Sequence, residues 1–407
     1  MCKSKSATKA STPTPRPRSS RSTTPSASAS ASAAPGSYSA PAIGSTSASS
    51  TSKVSSSSSS SSSLAAIRGS LPSPPAIYPF SEIAAATNNF LAKRLSSSSP
   101  SWRCSLRGKD AVVFQRAFRG DPAAAAALPS RLAALGKSHH KSLVRLLGAS
   151  LAGDHIYLAY EFSPGASLAD CLRNPRNPNF TPLPTWTSRI QIADDVAQGL
   201  EYIHHHFATV HNRIKSSAVI VTEADLHGKI CHFGTAALAG EVPSDDSGVS
   251  PAVRRSSSRR GWIEGTRGYM APEIIAGERF SPRSDVYAFG VVLLELVSGE
   301  EPMKYRYDKA RKEFEAISLV ETAAAAAAER EREGLRQWVD RRLRDSFPVD
   351  AMEKLIHVAL RCVDAEPAAR PEMTWVAGKV SKLYLESKAW EDTVRLPTDF
   401  SVSLAPR

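Results

Sequence analysis

The sequence predicts a folded domain with a long buried-face helix behind a long disordered tail, and three observations carry that prediction. Residues 1–76 are dominated by Ser, Ala, Thr and Pro, with an unbroken serine run from Ser55 to Ser63 and no hydrophobic periodicity. Such a stretch cannot bury enough apolar surface to offset its conformational entropy. Past it, a chain of 407 residues with 42% hydrophobic content is long and apolar enough to bury a substantial core. Within that part, Trp186 to His204 carries apolar residues three and four apart, the spacing of a long helix with one buried face.

The net charge of +12 is uneven, because eight Lys/Arg and no acid precede Glu82; the tail supplies +8 and the remainder +4. No basic stripe on a predicted element and no zinc-finger, helix-turn-helix or RNA-binding signature accompanies the charge, which argues against nucleic acid as a partner. The five cysteines, Cys2, Cys104, Cys171, Cys231 and Cys362, are scattered and lack paired spacing. That pattern fits a reducing compartment and no metal site. The longest apolar stretch, Val286 to Val297, is too short for a bilayer and contains Glu295. The N-terminus has no apolar segment of the signal-peptide kind, so a cytoplasmic protein is expected.

The tail offers two candidate addresses. Cys2 beside Lys3, Lys5 and Lys9 is a candidate for S-acylation, with the basic residues drawn to the anionic inner face of the plasma membrane. The Ser-rich, acid-free composition also fits a chloroplast transit peptide, and an unmodified solvated tail fits it equally. Order is expected from Tyr78. Ile83, Thr87 and Phe90 recur at helical spacing behind Ser81 as N-cap, predicting a short lead-in helix within residues 77–92.

Four further motifs give the domain its identity. Gly265-Thr266-Arg267-Gly268-Tyr269-Met270-Ala271-Pro272-Glu273 is followed by Ser284-Asp285-Val286-Tyr287-Ala288-Phe289-Gly290, and Arg370-Pro371 follows Cys362-Val363-Asp364. Upstream stand Tyr157 to Phe162 and the helix Trp186 to His204. From about Phe80 to Glu386 these motifs, in this order, resemble a plant receptor-like protein kinase domain, and Val210 to Val221 is similar to the LysM-type branch. The resemblance implies an α+β fold, the two-lobed protein-kinase-like one. Residues 93–162 would form a small β-rich N-lobe and hinge, 163–390 a larger helical C-lobe, and 391–407 a C-terminal tail.

Phosphoryl transfer in such a domain rests on placing ATP and Mg²⁺ and orienting the acceptor hydroxyl, so each task needs a particular residue type. The glycine-rich phosphate cover is expected at Leu95 to Trp102, where five serines and Pro100 replace it. The strand lysine that grips the phosphates should fall within Ala111 to Arg116; the best register puts Gln115 there and sends Arg116 to the opposite face. Its partner glutamate corresponds to Arg131. Glu161 and Phe162 correspond to the hinge.

The stretch His211-Asn212-Arg213-Ile214-Lys215-Ser216-Ser217-Ala218 aligns without gaps to the family's catalytic loop. Arg213 stands where the catalytic aspartate belongs, and a guanidinium can neither take a proton nor accept a hydrogen bond. Ala218 replaces a metal ligand, while Lys215 is retained. His232-Phe233-Gly234 replaces the metal-holding Asp-Phe-Gly, and Mg²⁺ prefers oxygen to imidazole. No cofactor is therefore expected, although the family would use ATP and Mg²⁺. The structural positions His211, Phe233, Gly234, Glu273, Asp285 and Arg370 are all kept.

Between Gly234 and Gly265, Arg254-Arg255-Ser256-Ser257-Ser258-Arg259-Arg260 makes Ser256, Ser257 and Ser258 candidate phosphorylation sites, with Thr266 a further one. Asn212 replaces the arginine through which many kinases sense such a phosphate. The expected function is that of a receptor-like cytoplasmic pseudokinase, a scaffold or allosteric partner of an active receptor-like kinase or other signalling protein. A weak or unconventional Ser/Thr kinase, and a protein directed to a membrane or plastid by its tail, stay open beside it. The oligomeric state is not encoded legibly.

Overall fold

Prolines bound the first strand: Pro74 and Pro75 precede β1 (Ala76–Ile77) and Pro79 follows it, so only two residues pair. The computed structural model describes residues 74–95, 99–173, 177, 180–241, 265–309, 312–328 and 332–394. After β1 come α1 (Phe80–Ala86), β2 (Ser101–Leu106), β3 (Lys109–Ala117), α2 (Pro122–Ala126), α3 (Leu128–Leu135), β4 (Leu146–Ala152) and β5 (His155–Glu161). The five strands form one sheet in the order β1-β4-β5-β3-β2, with β1 parallel to β4 and the other pairs antiparallel. At Gly148 in β4 a Cβ would lie 2.0 Å from the Ala76 carbonyl oxygen, so the approach of β1 requires glycine there.

The sheet has two covered faces. One carries Ala111, Val113, Cys104, Leu106, Tyr157 and Ala159, on which Tyr78 and Ile83 pack. Phe90 closes that face, with its ring centroid 5.2 Å from both Trp102 and Tyr157. The lead-in helix α1 is shorter than the sequence spacing predicts. It starts at Phe80 with Pro79 as cap residue, so Ser81 lies inside the first turn and does not cap it. Thr87 instead ends the helix, and its buried hydroxyl donates to the Ile83 carbonyl at 2.9 Å.

The helical lobe follows: β6 (Gly165–Ser167), α4 (Leu168–Leu172), α5 (Trp186–His206), β7 (Val219–Thr222), β8 (Gly228–Ile230), α6 (Thr235–Leu238), α7 (Pro272–Ile275) and α8 (Pro282–Ser298). A hairpin, β9 (Met303–Asp308) and β10 (Glu313–Ser318), leads into α9 (Leu319–Ala328), α10 (Arg332–Trp338), α11 (Val349–Cys362) and α12 (Met373–Val394). The α+β, two-lobed expectation therefore holds. Helix α8 is apolar nearly all round because it is buried nearly all round, from Val286 to Val297. The predicted helix at Trp186 extends to His206 and packs along α12, where the Trp186 indole N–H donates to the Ser387 hydroxyl at 2.8 Å. Among the described residues no helix is long and apolar enough to cross a membrane.

One ion pair ties the segment after Gly265 to the bottom of this lobe. Both Arg370 terminal nitrogens reach the Glu273 carboxylate at 2.7 Å, and the side chains are 0% and 7% exposed. Burial alone would raise the Glu273 carboxyl, but the Arg370 guanidinium outweighs it and holds the group below its ordinary value. Removing one partner of such a pair strands a buried charge. Arg370→Met is expected to cost about 3–5 kcal/mol, read from the urea midpoint at unchanged slope.

Candidate functional site

The loop that carries the family's chemistry is held from beneath by Asp285, in the first turn of α8. Its carboxylate accepts the His211 N–H at 2.6 Å and the Asn212 N–H at 2.8 Å, and its Oδ2 lies 3.0 Å from His204 Nε2. Burial pushes this carboxyl up, yet the His204 hydrogen bond, the neighbouring imidazoles and the amide together hold it low. His211 is buried, which lowers its pKa, so its ring is neutral near pH 7. The neutral ring fits its surroundings, with Nδ1 accepting the Arg213 N–H at 3.2 Å and Nε2 donating to the Cys231 carbonyl at 2.8 Å. Asn212 takes the left-handed conformation, φ 66°.

A cleft of about 1060 Å³ runs between the lobes and over this loop. Arg213 and Lys215 line it, and both have partners. Arg213 Nη2 meets Glu241 Oε1 at 2.7 Å, with side chains 16% and 8% exposed. Lys215 Nζ donates to the Thr266 hydroxyl at 3.2 Å. Burial first, then Arg116 and Arg213, lower the Lys215 pKa. Ala218 is fully buried in the 3₁₀ turn Ser216–Ala218.

His232 occupies the cleft opposite β3 with φ 66°. Its ring stands edge-on to Phe114, centroids 4.3 Å apart, and its shielded Nδ1 has no hydrogen-bond partner among the described residues. Burial and the charges of Arg116, His211, Arg213 and Lys215 push its pKa well below the ordinary imidazole value, so the ring is neutral near pH 7. Beside it, the Tyr160 hydroxyl donates to the Phe233 carbonyl at 2.8 Å and pairs with the Thr235 hydroxyl at 2.9 Å. Gly234, φ 80°, lies so close to Leu135 that a Cβ would meet it at 2.6 Å.

Strand β3 corrects the predicted register. Val112, Phe114 and Arg116 line the cleft, and Gln115 shares the other face with Ala111 and Val113. A pleated strand alternates faces at every residue, so a one-residue slip in register exchanges the two sides. Phe114 is the residue that meets His232, and Arg116 is brought into the cleft. Gln115 and Arg131 are not brought together. Arg131, on α3, donates to the Ala237 carbonyl at 3.4 Å.

At the hinge, Glu161 and Phe162 line the cleft, with the Arg103 guanidinium 3.7 Å above the Phe162 ring. Ser96 to Ser98 of the expected phosphate cover, Ser256, Ser257, Ser258 and Cys2 lie outside the described residues.

Sequence reasoning missed three participants. Tyr160 stands in an apolar strand, where a buried hydroxyl signals a polar partner. Glu241 carries no signal, since its role depends on the chain folding back to Arg213. Glu295 reads in the sequence only as an interruption of an apolar run. It is fully buried, accepts from Tyr269 at 2.7 Å and Ser216 at 2.8 Å, and pairs with Arg173 at 2.8 Å. That network links the catalytic loop to the segment after Gly265.

The fold family implies ATP with Mg²⁺, and the donor set here does not fit the metal. His232 and Ala218, expected from the sequence at the metal positions, offer no oxygen from their side chains. Among the described residues there is no group of three or more His, Cys, Asp or Glu able to hold a metal ion.

Fold and cleft together define a protein kinase domain, and residues 121–379 match that family; the chain belongs to it. The relatives it matches include plant receptor-like kinases and PTI1-like kinases. It is 33% identical over 328 residues to LysM domain receptor-like kinase 3 of Arabidopsis thaliana, covering 79% of this chain and 48% of the relative. It is 34% identical over 315 residues to chitin elicitor receptor kinase 1 of Arabidopsis thaliana, covering 76% and 47%. With PTI1-like tyrosine-protein kinase 3 of the same plant it shares 32% identity over 333 residues, covering 79% of this chain and 76% of the relative. The chain thus spans about half the length of these two receptor kinases.

The depressed His232 pKa fixes a sign. An imidazole whose folded pKa lies below its unfolded value near 6.5 binds more protons unfolded, so its contribution is intact above that pH and is lost on acidification towards the folded pKa. His232→Gln is expected to flatten the fall in stability below about pH 6.5, where one such group contributes up to ~1.4 kcal/mol per pH unit. Urea midpoints of both proteins from pH 7.5 to 5.0 measure this, and parallel curves would contradict it.

Proposed function

We propose that this protein is a signalling pseudokinase, a kinase-fold partner that acts by shape on an active receptor-like kinase or other signalling protein and transfers no phosphate itself. The observation that carries the reading is Arg213. A cation stands at the position of the catalytic base and is held there by Glu241, so no carboxylate waits for the acceptor proton. Three further features support it. His232 and Ala218 remove the metal ligands, Phe114 puts an aromatic ring against His232, and the family match begins at residue 121, past β2 and β3. Base catalysis is worth about 10²- to 10⁴-fold and a metal several kcal/mol, so the losses bear on every part of the reaction.

The retained positions belong to the scaffold. Asp285 holds the loop, Glu273 and Arg370 hold the segment after Gly265, and Phe233 and Gly234 pack beneath Tyr160 and Leu135. A domain that keeps these contacts while losing the reacting groups offers partners a stable kinase surface. Ser256, Ser257, Ser258 and Thr266 are proposed as sites where a partner kinase marks that surface. Cys2 is proposed as an acylation site at the inner face of the plasma membrane, with chloroplast import of the tail as the alternative.

The expected result with purified protein, ATP and Mg²⁺ or Mn²⁺ is no phosphate incorporation into itself or a general substrate above a no-enzyme blank. Robust incorporation that disappears when Arg213 is changed to Ala, and persists in preparations cleared of other kinases, would overturn the reading. Co-purification of the full chain from plant cells is expected to recover an active kinase.

A further inference from the structure

The hairpin β9–β10 leaves most of both its faces in solvent. Residues directly opposite in its register share a face, which puts Tyr305, Tyr307, Phe314 and Ala316 on one side and Lys304, Arg306, Glu315 and Ile317 on the other. On the charged side the cations are engaged, Lys304 with Glu300 and Arg306 with Glu315 at 3.0 Å. On the aromatic side Tyr305 is 55% exposed, and its hydroxyl accepts from Arg267 Nη1 at 3.1 Å. Among the described residues no carboxylate meets that guanidinium; the phenol is its partner. Arg267 itself stands in a fixed segment. Its neighbour Thr266 accepts from the Lys215 ammonium at 3.2 Å, and Glu273 is locked to Arg370. Gly268 lies so close to Pro302, just before β9, that a Cβ would meet it at 2.7 Å. The segment after Gly265 thus joins the loop at Lys215 to the base of the hairpin, and a single phenol–guanidinium contact carries the join onto the strand.

We propose that Tyr305 is a phosphorylation site whose phosphate is received by Arg267, locking the hairpin to the segment after Gly265. The donor is ATP held by a partner kinase. The Tyr305 oxygen bonds to the γ-phosphorus, the bond from that phosphorus to the bridging oxygen breaks, ADP leaves, and the phenolic proton passes to the partner's base. A neutral phenol accepts one hydrogen bond from Arg267, whereas a phosphate of about −1.5 to −2 charge offers three acceptor oxygens to the same guanidinium. Access follows from the fold, because a two-stranded hairpin is marginally stable by itself and β9 can open to enter another enzyme's site as an extended chain. Tyr307 has no such receiver among the described residues; its ring packs on Phe314 with centroids 5.2 Å apart. The inference goes beyond the pseudokinase reading, since carrying a phosphate and transferring one are separate properties.

The first test is mass spectrometry of the full chain recovered from plant cells with phosphatases blocked. Phosphate is expected on Tyr305; its absence there, or phosphate on Tyr307 instead, overturns the proposal. The second test uses the full chain phosphorylated by a purified tyrosine kinase with ATP. Amides of β9 and β10 are expected to exchange with deuterium about fivefold more slowly than in the unmodified chain, the gain of one exposed charge pair. Arg267→Gln is expected to accept phosphate but lose that slowing. It is also expected to raise the second pKa of the tyrosine phosphate, read by ³¹P NMR, because the guanidinium that favours the dianion is gone. Tyr305→Phe identifies the phosphate signal, and melting curves check that both variants are folded. Failure of the kinase to modify Tyr305, equal exchange with and without phosphate, or an unchanged phosphate pKa in folded Arg267→Gln overturns the proposal. None of these results bears on phosphate transfer by this chain, which the incorporation assay reads separately.

Discussion

Everything in the cleft is referred to one carboxylate. Asp285 accepts two successive amide hydrogens from the loop above it and a third contact from His204. With the backbone fixed at residues 211 and 212, the side chains that follow have little freedom in where they emerge. Arg213 must face Glu241, Lys215 must face Thr266, and Ser216 must turn down to Tyr269 and Glu295. The scaffold acts on the backbone, so it is indifferent to the charge of the side chains it presents. That indifference is the physical reason a loop can keep its shape after its reacting groups are replaced.

The replacements form a consistent electrostatic set. A partly buried guanidinium at position 213 is tolerable because Glu241 comes within 2.7 Å of it; without that carboxylate the charge would be stranded. An imidazole at position 232 is tolerable because burial first, and then the cations around it, hold it neutral. Phe114 then has a neutral ring to pack against. Each residue makes the next one compatible, which is more than four independent losses of function would produce. Membership of the receptor-like kinase family fixes the frame, and these pairings fill the cleft within it.

Much of this is legible in the chain. The segment from Gly265 to Glu273, Asp285 and Arg370 identify the frame, because their roles depend on contacts that the family's fold always brings together. The catalytic loop aligns without gaps, so the positions of Arg213 and Ala218 follow from spacing alone, and His232 follows from the Phe-Gly beside it. The register of β3 is not legible. Its residues alternate weakly, with apolar side chains at Ala111, Val112, Val113 and Phe114 in succession, because both faces of the strand are covered. A continuous apolar run gives no phase, and the choice of Gln115 over Phe114 and Arg116 goes astray there. The lead-in helix fails for a similar reason, since Ser81 looks like a cap in the sequence but the chain turns at Pro79.

The sequence by itself determined the fold family and which residue stands at each motif position, because both are properties of residue identity at fixed spacing. Only the tertiary structure decided which side of β3 faces the cleft, that Glu241 returns to meet Arg213, and that Tyr160 seals the turn at Phe233. Those are pairings between residues far apart in the chain, and nothing local specifies the partner. Charge can be counted along a sequence, but its sign inside a cleft depends on which charges the fold brings there and which it neutralises on the way.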